Sequence, residues 1–310
     1  MTELAAPRTG APVRPQGSLA LAWRQLRRSR AFLVSGGFVV LIVLLAVAAP
    51  LVAWLTGHGP NEQFNETGLS EAGIPVGPGA EFWLGTDQLG RDVLVRAVYG
   101  SRVSLLVGVA ASAVAVTIGV LVGTVAGYFR GAADAVLSRV IDVVMSLPFL
   151  LFAIALVSVV GPSVQISVAV IAFFSWGAIA RVVRGQVLSI REREYIEAAR
   201  SLGQSRMRIV LRDVLPNLTA PIVIYSTLMI PQAIVFESTL SFLGVGVVPP
   251  TPTWGGMLAE ASGNSMYLVA WWLVLVPGLS LLATTVAFNV LGDCLRDVLD
   301  PRSRRTTKGN

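Results

Sequence analysis

Charge is scarce in this sequence. Only 14% of its 310 residues are Asp, Glu, Lys or Arg, against 54% hydrophobic, and the mean hydropathy is +0.70. A surface drawn from that mixture could not face water over its whole area, so the chain is read as a bilayer protein. Lysine is nearly missing: of 24 cationic residues, Lys308 is the one Lys, and it follows Arg305-Thr306-Thr307. A P-loop, which must end in Gly-Lys-Ser/Thr, cannot be drawn here. If the work of this protein needs ATP, another chain must hydrolyse it. The single Cys, Cys294, excludes a disulfide framework, and the single His, His58, leaves neither a structural zinc site nor a His-based triad. Both read as inert. The pI near 10.2 comes from short basic clusters between long apolar runs, which excludes disorder and nucleic-acid binding.

What is present is a series of apolar runs long enough to cross about 30 Å of hydrocarbon at about 1.5 Å per residue. They fall at residues 31–55, 103–129, 140–160, 164–183, 220–247 and 268–291. The expectation is an all-α integral membrane protein with six transmembrane helices. Orientation follows from the arginines, because short cation-rich loops stay on the cytoplasmic side. Arg8, Arg14, Arg24, Arg27, Arg28 and Arg30 precede the first run, Arg130 and Arg139 follow the second, and Arg184 to Arg212 follow the fourth, with Arg181 at its membrane edge. With Arg296, Arg302, Arg304, Arg305 and Lys308, one side collects 21 cations, and the other has only Arg91, Arg96 and Arg102. Both termini are expected in the cytoplasm. Ala46-Val47-Ala48 resembles a signal-peptidase site, but about 30 polar residues precede the first run and the run continues beyond it, which favours an uncleaved anchor.

The expected organisation is a cytoplasmic tail over 1–30, a first span with outer loop over 31–102, a core over 103–291 containing a cytoplasmic loop at 184–219, and a second cytoplasmic tail over 292–310. The outer connection, residues 56–102, opens with a Gly/Pro-rich stretch. Beyond Asp87, the spacing of Leu89, Val93, Val95 and Val98 suits a short amphipathic helix at the outer interface, leading into span two.

The cytoplasmic loop is the one long patterned connection. Tyr195, Ala198, Ala199 and Leu202 recur at i, i+3, i+4 and i+7, with Arg193, Glu197 and Arg200 opposite. Arg191 reads as an indifferent surface position at the start of that helix. Gly203 suits a left-handed cap that ends it. Met207, Val210, Leu211 and Val214 form a second apolar face, which Pro216 is expected to terminate. Two short helices meeting at a glycine elbow would also describe an interfacial hairpin on anionic lipid, with its charges paired along the helix.

Glu237 is the one ionisable residue deep within a span, about 27 Å beyond Thr219 along the helix. It is a candidate for the pathway or for a structural hydrogen bond to Ser238 and Ser241. Asp142 is expected to pair with Arg139 three positions earlier. Pro148, Pro231 and Pro277 should kink spans three, five and six.

Glu197-Ala198-Ala199, then Gly203, then Leu215-Pro216 resembles the EAA loop of ABC importer permeases. Leu84-Gly85-Thr86-Asp87-Gln88-Leu89-Gly90-Arg91-Asp92, residues 142–148 and residues 237–244 are similar to the dipeptide/oligopeptide/nickel branch, second-permease type, and the likeness runs from about residue 20 to 300. Asp213 departs from the family's usual Ile.

The resemblance implies a type I importer permease fold and a non-catalytic subunit in the bacterial cytoplasmic membrane. Its partners would be a homologous second permease, two ATPase subunits that carry ATP and Mg, an extracytoplasmic substrate-binding protein and lipid. Glu197, Ala198, Ala199, Gly203, Leu215 and Pro216 would form the ATPase-coupling element. Peptide is the expected cargo and nickel the alternative; the spans offer no His or Cys to a metal ion. A proton-coupled transporter using Glu237 and Asp142 would leave the EAA loop unexplained. An intramembrane protease would lack both a His for a Ser nucleophile and a second Asp at the depth of Asp142.

Overall fold

A computed structural model describes residues 23–299, all-α with no strand among them. Arg8, Arg14, Arg302, Arg304, Arg305 and Lys308, and with them most of both tails, lie outside the described residues. Five helices are long and apolar enough to cross a membrane, or six if one bent pair is taken as a single span.

The first span is two helices, α1 (Arg30–Val47) and α2 (Ala49–Thr56). Ser29 Oγ caps α1 by accepting from the Phe32 amide at 3.3 Å. Pro50 starts α2, where a missing N–H costs nothing. Most of α1 is exposed, the condition of a helix that meets lipid or a neighbouring subunit.

The expected short interfacial helix before span two is not formed. Leu89 lies outside any helix and is exposed, while Val93, Val95 and Val98 open a continuous α3 (Val93–Phe129) of 37 residues. Asp92 makes that start definite, its Oδ1 accepting from the amides of Leu94 (2.8 Å) and Val95 (3.2 Å).

Span three is broken rather than kinked. Helix α4 (Gly131–Ser146) and helix α5 (Phe149–Val160) meet at 84°. Pro148 cannot donate to the preceding turn, and Leu147 before it is driven to extended backbone, φ −74° and ψ 130°.

Helix α6 (Val164–Arg191) continues eight residues past the expected end of span four. What anchors the extension is α4, where Asp134 binds Arg184 by both carboxylate oxygens, at 2.5 and 2.9 Å. Asp142 likewise pairs across helices, with Arg181 at 2.8 Å, and not with Arg139.

Helices α3 and α6 form the centre of the bundle, packed through Gly119, Gly123 and Gly127 of α3. A Cβ on Gly123 would stand 2.5 Å from the Ala180 carbonyl oxygen; on Gly127 it would stand 2.9 Å from that of Arg184. Glycines at four-residue spacing thus let the two backbones touch, as small-residue stripes do in membranes.

Two short helices, α7 (Glu194–Ser201) and α8 (Arg206–Ile209), follow, then a π turn (Val210–Val214), a 3-10 turn (Leu215–Leu218) and α9 (Thr219–Phe242). Pro216 does not terminate the second short helix. The wide π turn bonds the Leu215 amide to the Val210 carbonyl, so Pro216 falls in the first turn of a new helical segment. Asn217 Nδ2 donates to the Asp213 carbonyl at 2.6 Å.

After α9 come α10 (Trp254–Ser262) and α11 (Trp272–Leu299), the latter with Pro277 inside. The last helix therefore runs on to Leu299, past the end of the sixth apolar run at residue 291. Cys294 sits there, 4.0 Å from Ser29 Oγ.

Candidate functional site

Helix α7 has acids in its first turn, Glu194 and Glu197, and Arg200 in its last, the order the helix dipole favours. It ends as the glycine requires. Gly203 takes φ +75°, its amide bonds the Arg200 carbonyl (2.9 Å), and the Gln204 amide bonds that of Ala199 (3.2 Å). These two bonds make a Schellman cap.

The face buried by α7 differs from the one the periodicity suggested. Ile196 (0% exposed) and Ala199 (9%) point inward, into a cluster with Val183, Val187 and Ile190 of α6 and Tyr128 of α3. Tyr195 and Leu202 are exposed at 42% and 81%, and Ala198 and Glu197 are exposed beside them. In the second segment Ile209, Val210, Val214 and Leu218 join the same cluster, whereas Met207 and Leu211 are each 59% exposed. Leu215 packs against the cluster and Pro216 is exposed. The loop thus has two apolar sides: one welded to α3 and α6, the other open.

Arg191 is not an indifferent surface residue. It ends α6 and is half-buried, with its guanidinium 5.9 Å from the Tyr128 ring centre.

Glu237 has no exposed surface. Its carboxylate accepts from Ser241 Oγ at 2.7 Å, Ser104 Oγ of α3 at 3.0 Å and Ser238 Oγ at 3.5 Å. The hydrogen bonds to Ser238 and Ser241 that the sequence offered are formed, with Ser104 as an additional partner from another helix.

At the opposite end of the bundle the residues 84–92 fold into a charged knot. Gly85 and Gly90 take φ +75° and +70°, and Asp87 Oδ1 accepts from the amides of Leu89 (2.9 Å) and Arg91 (3.0 Å). Arg91 and Arg96, both nearly buried, hold Asp87 and Glu260 between them. Arg91 reaches Asp87 at 2.7 Å and Glu260 at 2.8 Å; Arg96 reaches them at 3.2 and 3.0 Å. Gln88 adds a bond to the Glu260 carbonyl, and Trp272 Nε1 donates to that of Thr86 at 3.0 Å. The loop is thereby tied to α10 and α11. Nor is His58 idle: its Nδ1 lies 2.7 Å from Asp92 Oδ2, and its ring stacks on Phe82. In the sequence Arg91 and Arg96 served as topology counts and Asp87 to Asp92 as part of a family signature; Glu260, more than 160 residues away, left no signal that it would join them.

Residues 119–305 match the family described as the binding-protein-dependent transport system inner membrane component, and residues 18–69 match the N-terminal TM domain of oligopeptide transport permease C. The chain is 39% identical over 280 residues to the di/tripeptide transport system permease protein DppC of Pseudomonas aeruginosa, covering 90% of this chain and 91% of that one. It is 39% identical over 284 residues to the dipeptide transport system permease protein DppC of Bacillus subtilis (92% and 86% covered). Against the glutathione transport system permease protein GsiD of Escherichia coli the figures are 39% over 280 residues (90% and 89%). An inward-facing structure of the MetNI methionine ABC transporter shares the fold, with TM-score 0.55 and 19% identity over 66% of this chain and 96% of that one.

Proposed function

The chain belongs to the family of inner membrane components of binding-protein-dependent transport systems, and from that membership we propose that it is one of two permeases through which an ATP-driven importer moves short peptides into the cell. Peptide is favoured over nickel because the similar permeases are named for dipeptides, tripeptides and glutathione. ATP and Mg belong to two partner ATPase subunits, a second permease completes the pathway, and an extracytoplasmic binding protein delivers cargo. Both termini and α7 are cytoplasmic, and the Arg91–Glu260 knot faces outward, where delivery occurs.

The observation that carries this reading is the two-sided burial of α7. Ile196 and Ala199 fix the helix to the inner halves of α3 and α6, so a push on it is delivered to the bundle as to a rigid body. Tyr195, Ala198 and Leu202 remain open to a partner, with Glu197 among them to meet a cation. Ala198 lets that partner's backbone come close, and Gly203 sets the angle at which α7 leaves α8. Leu215 and Pro216 lie where π and 3-10 turns replace the α-helix, a natural hinge between the docking loop and α9. Glu237 pins α9 to α3 through Ser104, so α9 pivots without sliding, and a direct role in the pathway is not needed.

Uptake of a labelled dipeptide by cells with and without this chain tests the cargo. Uptake lost with the chain, and unaffected by nickel in excess, is expected; loss of nickel uptake with peptide uptake intact would refute it.

A further inference from the structure

Besides the docking face, the Arg-rich end of the bundle holds a cavity of about 330 Å³ that the transport reading does not use. Its walls come from the end of α3 (Tyr128, Phe129), the end of α6 (Arg191), and the α7–α8 elbow (Arg200, Gln204, Arg206). Three of these walls are guanidinium groups and none is a carboxylate. Arg191 and Arg200 are held over the same ring, 5.9 and 5.6 Å from the centre of Tyr128. Two cations against one ring repel each other, and an anion between them would offset that repulsion. The nearby acid, Glu192, is already bound to Arg130. Two polar atoms are also unanswered. Tyr128 is 3% exposed, and neither its hydroxyl nor Arg191 Nη1 has a hydrogen-bond partner among the described residues.

We propose that this cavity is a binding site for a phosphate-bearing anion, held by the guanidinium groups of Arg191, Arg200 and Arg206. Guanidinium forks match the oxygens of a phosphate and bind it by paired, charge-assisted bonds. The volume admits a phosphate group with its substituents. Its position at the ends of α3 and α6, beside Phe129, is headgroup depth for a cytoplasmic leaflet, where basic pockets meet anionic lipid. A lipid phosphodiester and a free phosphate ion share the chemistry. Either would tie α3, α6 and the α7–α8 elbow together, bracing the docking helix from behind. The site stands on the cavity's own residues, whatever the cargo and whether or not α7 docks an ATPase.

The test takes the full-length chain with the subunits that co-purify with it, in nanodiscs of phosphatidylcholine alone or with added phosphatidylglycerol. The phosphatidylcholine discs are also titrated with inorganic phosphate against chloride at equal ionic strength. Thermal unfolding is followed by tryptophan fluorescence. A saturable rise in midpoint is expected, with phosphate if the ligand is a free anion and only with phosphatidylglycerol if it is a lipid. Half-saturation should need about tenfold more ligand in Arg200→Gln, the loss of one charge-assisted hydrogen bond. Arg200→Lys, which keeps the charge, should fall between, and Arg208→Gln, outside the cavity, should match the wild type. No saturable response to either ligand, or a response undiminished in Arg200→Gln and Arg206→Gln, would overturn the proposal.

Discussion

Replacing Gly123 by Ala tests the packing that holds the bundle. The added Cβ would come 2.5 Å from the Ala180 carbonyl oxygen and 2.8 Å from Val183 Cβ. A carbon–oxygen contact settles at about 3.3–3.6 Å, so α3 and α6 must part by roughly 1 Å. A gap of that size forfeits about a quarter to a half of the dispersion energy of the atoms along the seam. Overpacking of this kind costs about 1–3 kcal/mol, and the better helix propensity of Ala returns about 1 kcal/mol of it. The net expectation is a loss of up to about 2 kcal/mol, and more for Gly123→Val. Gly278, within α11, has nothing within 4 Å of where its Cβ would stand. There the propensity gain acts alone, so Gly278→Ala should be neutral or stabilising by up to about 1 kcal/mol. In one detergent the thermal unfolding midpoint of Gly123→Ala should fall below that of Gly278→Ala. A Gly123→Ala midpoint equal to or above that of Gly278→Ala would refute the close α3–α6 approach.

Three further outcomes are expected. At Gly203 a Cβ meets no neighbour, so the cost of substitution is backbone strain alone, about 1–2 kcal/mol for a residue forced to positive φ; Gly203→Val should lower uptake and Gly203→Asn should largely restore it. Glu260→Ala strips Arg91 and Arg96 of one partner each while Asp87 remains, and should raise the rate at which protease nicks the 57–92 loop in spheroplasts, with a wild-type rate counting against the knot. With Cys294 replaced, a cysteine at exposed Glu66 should react with an impermeant reagent outside sealed cells and one at Leu202 should not; reaction of both from outside would overturn the proposed topology.

Periodicity and hydropathy made the helical membrane architecture legible, because both respond to local residue order. Gly203 was legible for the same reason: a left-handed cap is a property of one position. The buried face of α7 was not. The stripe Tyr195, Ala198, Leu202 is apolar and regularly spaced, yet it stays open while Ile196 faces the core. A pattern says that a face is apolar, not whether its cover is in the same chain. Asp142 was assigned to Arg139 on i, i+3 spacing, but Arg181 of another helix approaches more closely, a partner that only tertiary packing selects. The fourth run was drawn to Val183, where apolar residues give way to charge, yet α6 continues to Arg191, with Arg184 held by Asp134 of α4. The glycines at 119, 123 and 127 were in plain view and were not used. Their four-residue spacing is a sequence signal, and it would have placed α3 against a close neighbour.

The central claim is that the open face of α7 receives the ATPase through Glu197. Glu197 is exposed and belongs to no span, so Glu197→Arg should insert and accumulate like the wild type while presenting the wrong charge to its partner. The direct measurement is dipeptide uptake per molecule of this chain, with membrane abundance quantified in the same cells. A fall of about tenfold or more is predicted, equivalent to about 1.4 kcal/mol lost at the contact. Uptake per molecule equal to the wild type would contradict it.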